Sequence, residues 1–304
     1  MLTSYYESMI NKEENMALPA FDYVKAASLE EASRLAKEKG DKAILMAGGT
    51  DVILLIHGKV VPADTVIDIK GIPGMDEIKY VPGEGMHIGA LVKLFDIQNS
   101  DIVKEKMPAL SDGARSVASP QIRRKGTMIG NICNASPSAD TASILVAMNA
   151  VVKVYNVDGE KEIPIDEFFK GVKKTALQPG DVVTEVFVPE LQKNEGSAYF
   201  KHSVRKAMDL AIIGVGAKIK MDGNKIADAR VCMGGVGTTP LRAKNAEAIL
   251  IGKELTEDLL EEAGTAASQE CSPISDVRAS AEYRTDMVRV YTKRAVRKAV
   301  ETMA

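Results

Sequence analysis

The chain has 304 residues, of which 45% are apolar and 27% charged, and its formal net charge is -3. This balance predicts a globular protein large enough for two hydrophobic cores, without the basic surface that binding to nucleic acid requires. Three cysteines, Cys133, Cys232 and Cys271, are too far apart in the sequence for a CxxC metal site or a disulfide framework.

The N-terminus carries no pattern of a secretory signal. Residues 1–21, MLTSYYESMINKEENMALPAF, lack a basic stretch followed by an apolar one, and no apolar run in the chain approaches the ~20 residues of a membrane span. We therefore predict a cytoplasmic protein with reduced cysteines. Because Met16 begins a more regular sequence, residues 1–15 are interpreted as a loose extension.

Short elements are predicted for the first third of the chain. Ser28 and Glu31 form a capping-box pattern, which predicts a helix that ends at Gly40. A buried strand is predicted at 43–47, after which residues 51–59 fit either a short helix or another strand. Apolar runs separated by Pro and Gly predict further strands at 64–69, 78–81 and 85–92.

The rest of the chain predicts an α+β protein of two domains. We predict a helix at 101–119, a structured loop at 120–140, a helix at 141–150, and strands at 151–156, 160–165 and 181–189. The polar residues 190–197 are interpreted as a linker. Beyond it, a β-hairpin within 211–237 turns at DGN (222–224), and helices are predicted at 255–270 and 286–303.

Two separated loops combine glycine with hydroxyl and amide side chains. In the first, AGGTD at 47–51, glycine allows several backbone N–H groups to approach an anion, although the same residues also suit a plain tight turn. The second, KGTMIGN at 125–131, adds Thr127 and Asn131 as donors. Two such loops can hold the two phosphates of one dinucleotide, and neither matches GxGxxG or GxxxxGK[ST].

Further motifs follow these loops in a fixed order: GTMIGNICNASPSAD, AYFKHSVRKAMDLAIIGVGAKI, GGVGTTPLRAKNAE and RASAEYR. Together with AGGTD they resemble the FAD-binding medium subunit of the molybdenum hydroxylases over about residues 21–297. GNICN, RKAMD and RASAEYR are most similar to the xanthine dehydrogenase branch. The resemblance implies a PCMH-type FAD-binding domain at 16–190, with lobes of about 16–70 and 71–190, and a sheet-plus-helices domain at 198–304.

The resemblance also implies a set of residues that bind FAD. The first loop would hold the diphosphate, while Ala118 and Ile122 would pack against the flavin. Asp140 would hydrogen-bond to the flavin, and Lys201 would place a positive charge that favours its reduced, anionic form. The full set is Leu45, Met46, Ala47, Gly48, Gly49, Thr50, Asp51, Val52, Ala118, Ile122, Gly126, Thr127, Gly130, Asn131, Asn134, Asp140, Val183 and Lys201.

One residue departs from the family pattern. Relatives usually read TIGGN where this chain reads TMIGN at 127–131, so Ile129 replaces a glycine. If this position requires a positive φ, the substitution strains the backbone. His57, His87 and His202 are scattered without metal-ligand spacing, and no residue is assigned as a catalytic acid or base.

By this resemblance the chain is the electron-transfer component of a multisubunit oxidoreductase. A large subunit with the molybdenum cofactor would oxidise the substrate, and a small subunit with [2Fe-2S] clusters would pass the electrons to FAD in this chain. FAD would then reduce NAD or another acceptor. Two other interpretations stay open: a structural subunit without flavin, which Ile129 favours, and a self-contained flavin oxidase, for which the sequence offers no catalytic base.

Overall fold

The computed structural model describes residues 18–205 and 207–303, so the predicted loose extension at 1–15 lies outside the described residues. A small parallel sheet comes first, with strands β1 (Asp22–Lys25), β2 (Ala43–Met46) and β3 (Thr65–Asp68) in the order β1-β3-β2. Helix α1 (Leu29–Lys39) joins β1 to β2, and the Ser28 hydroxyl accepts a hydrogen bond from the Glu31 amide at 3.1 Å, as the capping box predicts. The ambiguous segment after β2 is a helix, α2 (Val52–His57).

Six helices follow the hairpin of β4 (Ile78–Val81) and β5 (Gly85–Gly89). They are α3 (Leu94–Asn99), α4 (Asp101–Lys106), α5 (Pro108–Ser116), α6 (Pro120–Arg123), α7 (Met128–Cys133) and α8 (Asp140–Ala147). The prediction of one helix at 101–119 is wrong, because Pro108 disfavours the α conformation at Met107, whose φ is -144°. The loop predicted at 120–140 contains α6 and α7, whose N-caps Ser119 and Thr127 each accept a backbone amide.

A five-stranded antiparallel sheet forms the centre of this half of the chain. After β6 (Val151–Tyr155) and β7 (Lys161–Pro164) come helix α9 (Ile165–Phe168), the hairpin strands β8 (Phe169–Gly171) and β9 (Lys174–Thr175), and strand β10 (Val182–Pro189). The strand order is β4-β5-β10-β6-β7, so β10 pairs with both β5 and β6. The β8–β9 hairpin was not predicted, because strands of two or three residues leave no hydrophobic period.

The C-terminal part is a four-stranded antiparallel sheet packed by helices. Its strands are β11 (Glu195–His202), β12 (Ile213–Asp222), β13 (Lys225–Gly234) and β14 (Leu241–Arg242), followed by α10 (Lys244–Leu250), α11 (Glu257–Glu270) and α12 (Ala281–Glu301). The hairpin about residues 222–224 is confirmed by the pairing of Asp222 with Lys225. Residues 190–197 are not wholly a linker, because β11 begins at Glu195 and pairs with β12. The predictions also missed α10.

Two main hydrophobic clusters fill the two halves, and the predicted α+β fold is confirmed. Helix α8 belongs to the first half but packs on β12 and β13 of the second. Arg230 on β13 strengthens this junction, because its guanidinium donates to the Val146 carbonyl at 2.9 Å and to Asp166. Asp140, at the start of α8, lies beside β11, where it contacts Lys201. Within residues 18–205 and 207–303, no helix combines the length and apolar character needed to cross a membrane.

Candidate functional site

The first glycine loop leaves several backbone donors available. It connects β2 to α2 and includes Gly49, whose φ of 74° is left-handed and favours glycine. In the described part of the chain, the amides of Gly48, Gly49 and Thr50 donate to no backbone or side-chain acceptor. Consecutive free amides in such a turn form a concave site for an anion.

The second loop lies directly against the first. A Cβ atom built on Gly48 would lie 2.1 Å from the Lys125 carbonyl oxygen, and one built on Gly126 would lie 3.1 Å from the Thr50 hydroxyl. The Asn134 amide nitrogen donates to the Asp51 carboxylate at 2.9 Å. The structure therefore brings together the two loops that are separated by about 75 residues in the sequence.

The replacement of glycine by Ile129 causes no backbone strain in the second loop. Ile129 lies buried in the first turn of α7 and is not among the described residues with a positive φ. The loop gets its shape from Thr127, whose hydroxyl accepts the Gly130 amide at 2.9 Å, and from Asn131, which accepts the Thr141 hydroxyl at 2.7 Å. The conditional strain predicted at this position is absent, because a helical backbone accepts isoleucine.

Asp140 and Lys201 form a buried ion pair rather than two separate surface groups. Their side chains are 7% and 11% exposed, and Lys201 Nζ lies 2.9 Å from Asp140 Oδ2. The ammonium also donates to the carbonyls of Ser116 and Asp209, so each of its three protons has an acceptor. The Tyr199 hydroxyl donates to Asp140 Oδ1 at 3.2 Å. This network ties β11 to the end of α5 and the start of α8.

Burial, rather than the ion pair, sets the direction in which the pKa of Asp140 moves. Burial raises the pKa of Asp140 to about 6, although Lys201 and Tyr199 favour the ionised form. Burial and the Asp140 charge together raise the pKa of Tyr199 well above its ordinary value, so this phenol stays protonated. Burial also raises the pKa of the Cys133 thiol to about 12, which keeps this thiol unreactive near neutral pH.

We expect the free energy of unfolding to depend on pH through the titration of Asp140. Because its pKa is raised from 3.8 to about 6, the folded chain binds this proton more tightly than the unfolded chain. The stabilisation is complete below about pH 4 and is lost as the pH rises through 6. The Asp140→Asn variant lacks this titration, so it should gain stability relative to the wild type from about pH 4 to 7. Urea unfolding of both proteins measures this, and a pH-independent difference would contradict the assignment.

The apolar residues predicted to contact FAD lie at several separate places in the fold. Ala118 follows α5 with a φ of 43°, and its carbonyl accepts the Met208 amide at 3.0 Å. Ile122 is 37% exposed, which leaves it free to pack against a planar ring. Val183 is buried in β10, against which α7 packs. Leu45 and Met46 end β2 and Val52 begins α2, so these three residues flank the first loop, and Val52 packs against the hydrophobic cluster that contains Met46.

Two residues of this region were missed by the sequence reasoning. Tyr199 lies two positions before Lys201 on β11, and residues at that spacing lie on the same face of a strand. A strand predicted at this position would therefore have placed Tyr199 beside Lys201. Lys173 lies in the unpredicted β8–β9 turn, where its ammonium donates to Asn134 Oδ1 at 2.6 Å. The sequence GVKKT at 171–175 carries no periodic signal that indicates this contact.

Comparisons with known proteins agree with this geometry. Residues 19–191 match the family model "FAD binding domain in molybdopterin dehydrogenase", and residues 198–299 match "CO dehydrogenase flavoprotein C-terminal domain". The chain is 36% identical to the glyceraldehyde dehydrogenase medium chain of Sulfolobus acidocaldarius, over 91% of this chain and 97% of that one. It is 31% identical to the xanthine dehydrogenase FAD-binding subunit of Escherichia coli O157:H7, over 91% and 95%.

A solved structure supports the same relationship. A chain of the carbon monoxide dehydrogenase of Hydrogenophaga pseudoflava superimposes with a TM-score of 0.91 at 32% identity, and the match covers 95% of this chain and 100% of that one. The fold and site thus define a flavoprotein component of an oxidoreductase. The chain belongs to the family of FAD-binding medium subunits of the molybdenum hydroxylases.

The described residues fit the cofactor of this family. The free amides of Gly48, Gly49 and Thr50, together with the close contact between the two loops, form the kind of cradle that a dinucleotide diphosphate occupies. No group of three or more His, Cys, Asp or Glu side chains within the described ranges could hold a metal ion.

Proposed function

We propose that this chain holds FAD between its two glycine loops and transfers electrons from a partner iron–sulfur subunit to an acceptor. The observation that carries the proposal is the first loop, where the amides of Gly48, Gly49 and Thr50 have no protein acceptor among the described residues and the second loop closes against Gly48. Gly48, Gly49 and Thr50 would bind the diphosphate. The second loop, with Gly126, Thr127, Gly130 and Asn131, would enclose the cofactor from the other side.

The Asp140–Lys201 pair would act beside the flavin as part of this proposal. Since the Lys201 ammonium is already shared among Asp140 and two carbonyls, its charge would act on the flavin as a fixed field. Ala118, Ile122 and Val183 would supply apolar contacts to the ring, and Asn134 would hold the Asp51 end of the first loop.

The chemistry of FAD suits a junction between one-electron and two-electron carriers. When bound, FAD can accept electrons singly and release a pair as a hydride. We propose that the donor is a small [2Fe-2S] subunit, that a large subunit with the molybdenum cofactor oxidises the substrate, and that the acceptor is NAD. Relatives named for glyceraldehyde, carbon monoxide and xanthine share 31–36% identity with this chain. Because similar medium chains occur in complexes with such different substrates, we propose that the large subunit determines the substrate.

We also propose a division of the chain into a FAD-binding domain at 16–190, with lobes at about 16–70 and 71–190, and a C-terminal domain at 198–304. The separate sheets and hydrophobic clusters of the two halves support this division. A cytoplasmic location is proposed because the three cysteines are unpaired and lie apart.

The cofactor test uses the full chain purified alone. We expect the visible spectrum of a flavin, and mass analysis of the compound released by heat should identify FAD in near-stoichiometric amount. Anaerobic addition of NADH should bleach the flavin absorption if NAD is the acceptor. A folded, colourless chain that does not take up added FAD would contradict the proposal and favour the structural subunit. Substrate turnover by the isolated chain would favour the self-contained oxidase.

A further inference from the structure

The β8–β9 hairpin carries a lysine to the place where the two glycine loops meet. The backbone amide of Lys173 donates to the Ala135 carbonyl at 2.9 Å, which docks the hairpin on the residues that follow α7. Its ammonium donates to Asn134 Oδ1 at 2.6 Å, and Asn134 in turn donates to Asp51 Oδ1 at 2.9 Å. A continuous chain of contacts therefore links Lys173 to the end of the first loop.

Two lysines lie near the first loop, and only one of them is paired with a carboxylate among the described residues. Asp51 is half-buried, and burial raises its pKa while Lys173 favours its ionised form. Lys70 also reaches this loop, with its ammonium 3.3 Å from the Ala47 carbonyl, but it is paired with Asp68 at 2.8 Å. Lys173 instead contacts a neutral amide and forms no direct ion pair with a carboxylate in the described part of the chain.

We propose that Lys173 is the counter-charge for the diphosphate of FAD, held at the joined loops by Asn134. This inference rests on the proposed function, since it requires FAD at the loops. A diphosphate on the amides of Gly48, Gly49 and Thr50 brings negative charge beside Asp51, and a nearby cation stabilises two like charges that lie so close together. An ammonium has three N–H donors, and the contact with Asn134 uses one of them, which leaves two for phosphate oxygens.

The test compares binding of FAD and of riboflavin, which has no phosphate, to the full chain freed of flavin. We expect Lys173→Gln to weaken FAD binding about 10- to 100-fold, the loss of one charge-assisted contact, and to leave riboflavin binding unchanged. Lys173→Arg keeps the charge and should retain most of the affinity. Lys174→Gln removes the neighbouring exposed lysine of the same hairpin and serves as the matched control. The FAD affinity of the wild type should also fall with added salt more steeply than that of Lys173→Gln.

Each contrary result has a distinct meaning. If the wild type binds FAD and Lys173→Gln binds it equally tightly, this inference fails while the proposed function stands. If Lys173→Gln weakens FAD and riboflavin equally and lowers the melting temperature of the flavin-free chain, the lysine only holds the hairpin in place, and the inference is again wrong. If the wild type binds no FAD at all, the proposed function itself fails.

Discussion

Replacement of Lys201 by methionine should lower the free energy of unfolding by about 3–5 kcal/mol at pH 8, the usual cost of removing one partner of a buried ion pair. Methionine fills a similar volume but leaves the Asp140 carboxylate and the carbonyls of Ser116 and Asp209 without the ammonium. Urea unfolding of the full chain measures the loss. The loss should shrink at pH 5, because Asp140 without Lys201 is more easily neutralised by protonation.

A double variant and a surface pair control this experiment. Lys201→Met combined with Asp140→Asn removes both charges, so it should recover part of the stability lost in the single variant. Lys253 and Glu262 form an ion pair whose side chains are about half exposed, and Lys253→Met should cost less than about 1 kcal/mol. An equal loss in Lys201→Met and Lys253→Met would show that the Asp140–Lys201 pair contributes no more than a surface contact.

Gly48→Ala should weaken FAD binding about 100-fold or more, the equivalent of two charge-assisted hydrogen bonds. The added methyl group would lie 2.1 Å from the Lys125 carbonyl oxygen and 2.8 Å from the Gly126 Cα atom. Both are backbone atoms, which cannot rotate away as a side chain does, so the two loops must separate. The diphosphate then loses the donors on one side. Titration of the flavin-free chain with FAD, followed by flavin fluorescence, measures the effect.

Gly237→Ala is the matched control for this substitution. A Cβ atom on Gly237 would meet its nearest neighbour, the Thr239 carbonyl oxygen, at 3.5 Å, which is an ordinary contact. This variant should bind FAD as the wild type does. Gly48→Ala is also expected to destabilise the chain by about 1–3 kcal/mol, so binding is measured well below its melting temperature. Wild-type affinity for FAD in Gly48→Ala would show that the contact between the loops is not needed for the cofactor.

Many of the regular elements could be predicted because their signals are local. The helix after Ser28, strand β4 and the hairpin about residues 222–224 follow from capping, alternation and turn residues that are close in sequence. Several errors arose where elements are too short for a period to develop, and the helix predicted at 101–119 was wrong because Pro108 interrupts it. Helices α6 and α7 span only four and six residues. The hydroxyl groups of their N-cap residues stabilise them by accepting backbone amides, although helices this short are usually unstable on their own.

The composition of the two glycine loops, the order of the family motifs and the α+β class can all be read from the sequence, because each of them depends on neighbouring residues. The contact of Gly48 with Lys125 and the pairing of Asp140 with Lys201 became visible only in the folded chain. In both cases the two partners are far apart along the chain. Contacts between residues 60–80 positions apart depend on how whole sheets and helices pack, and no local pattern records them.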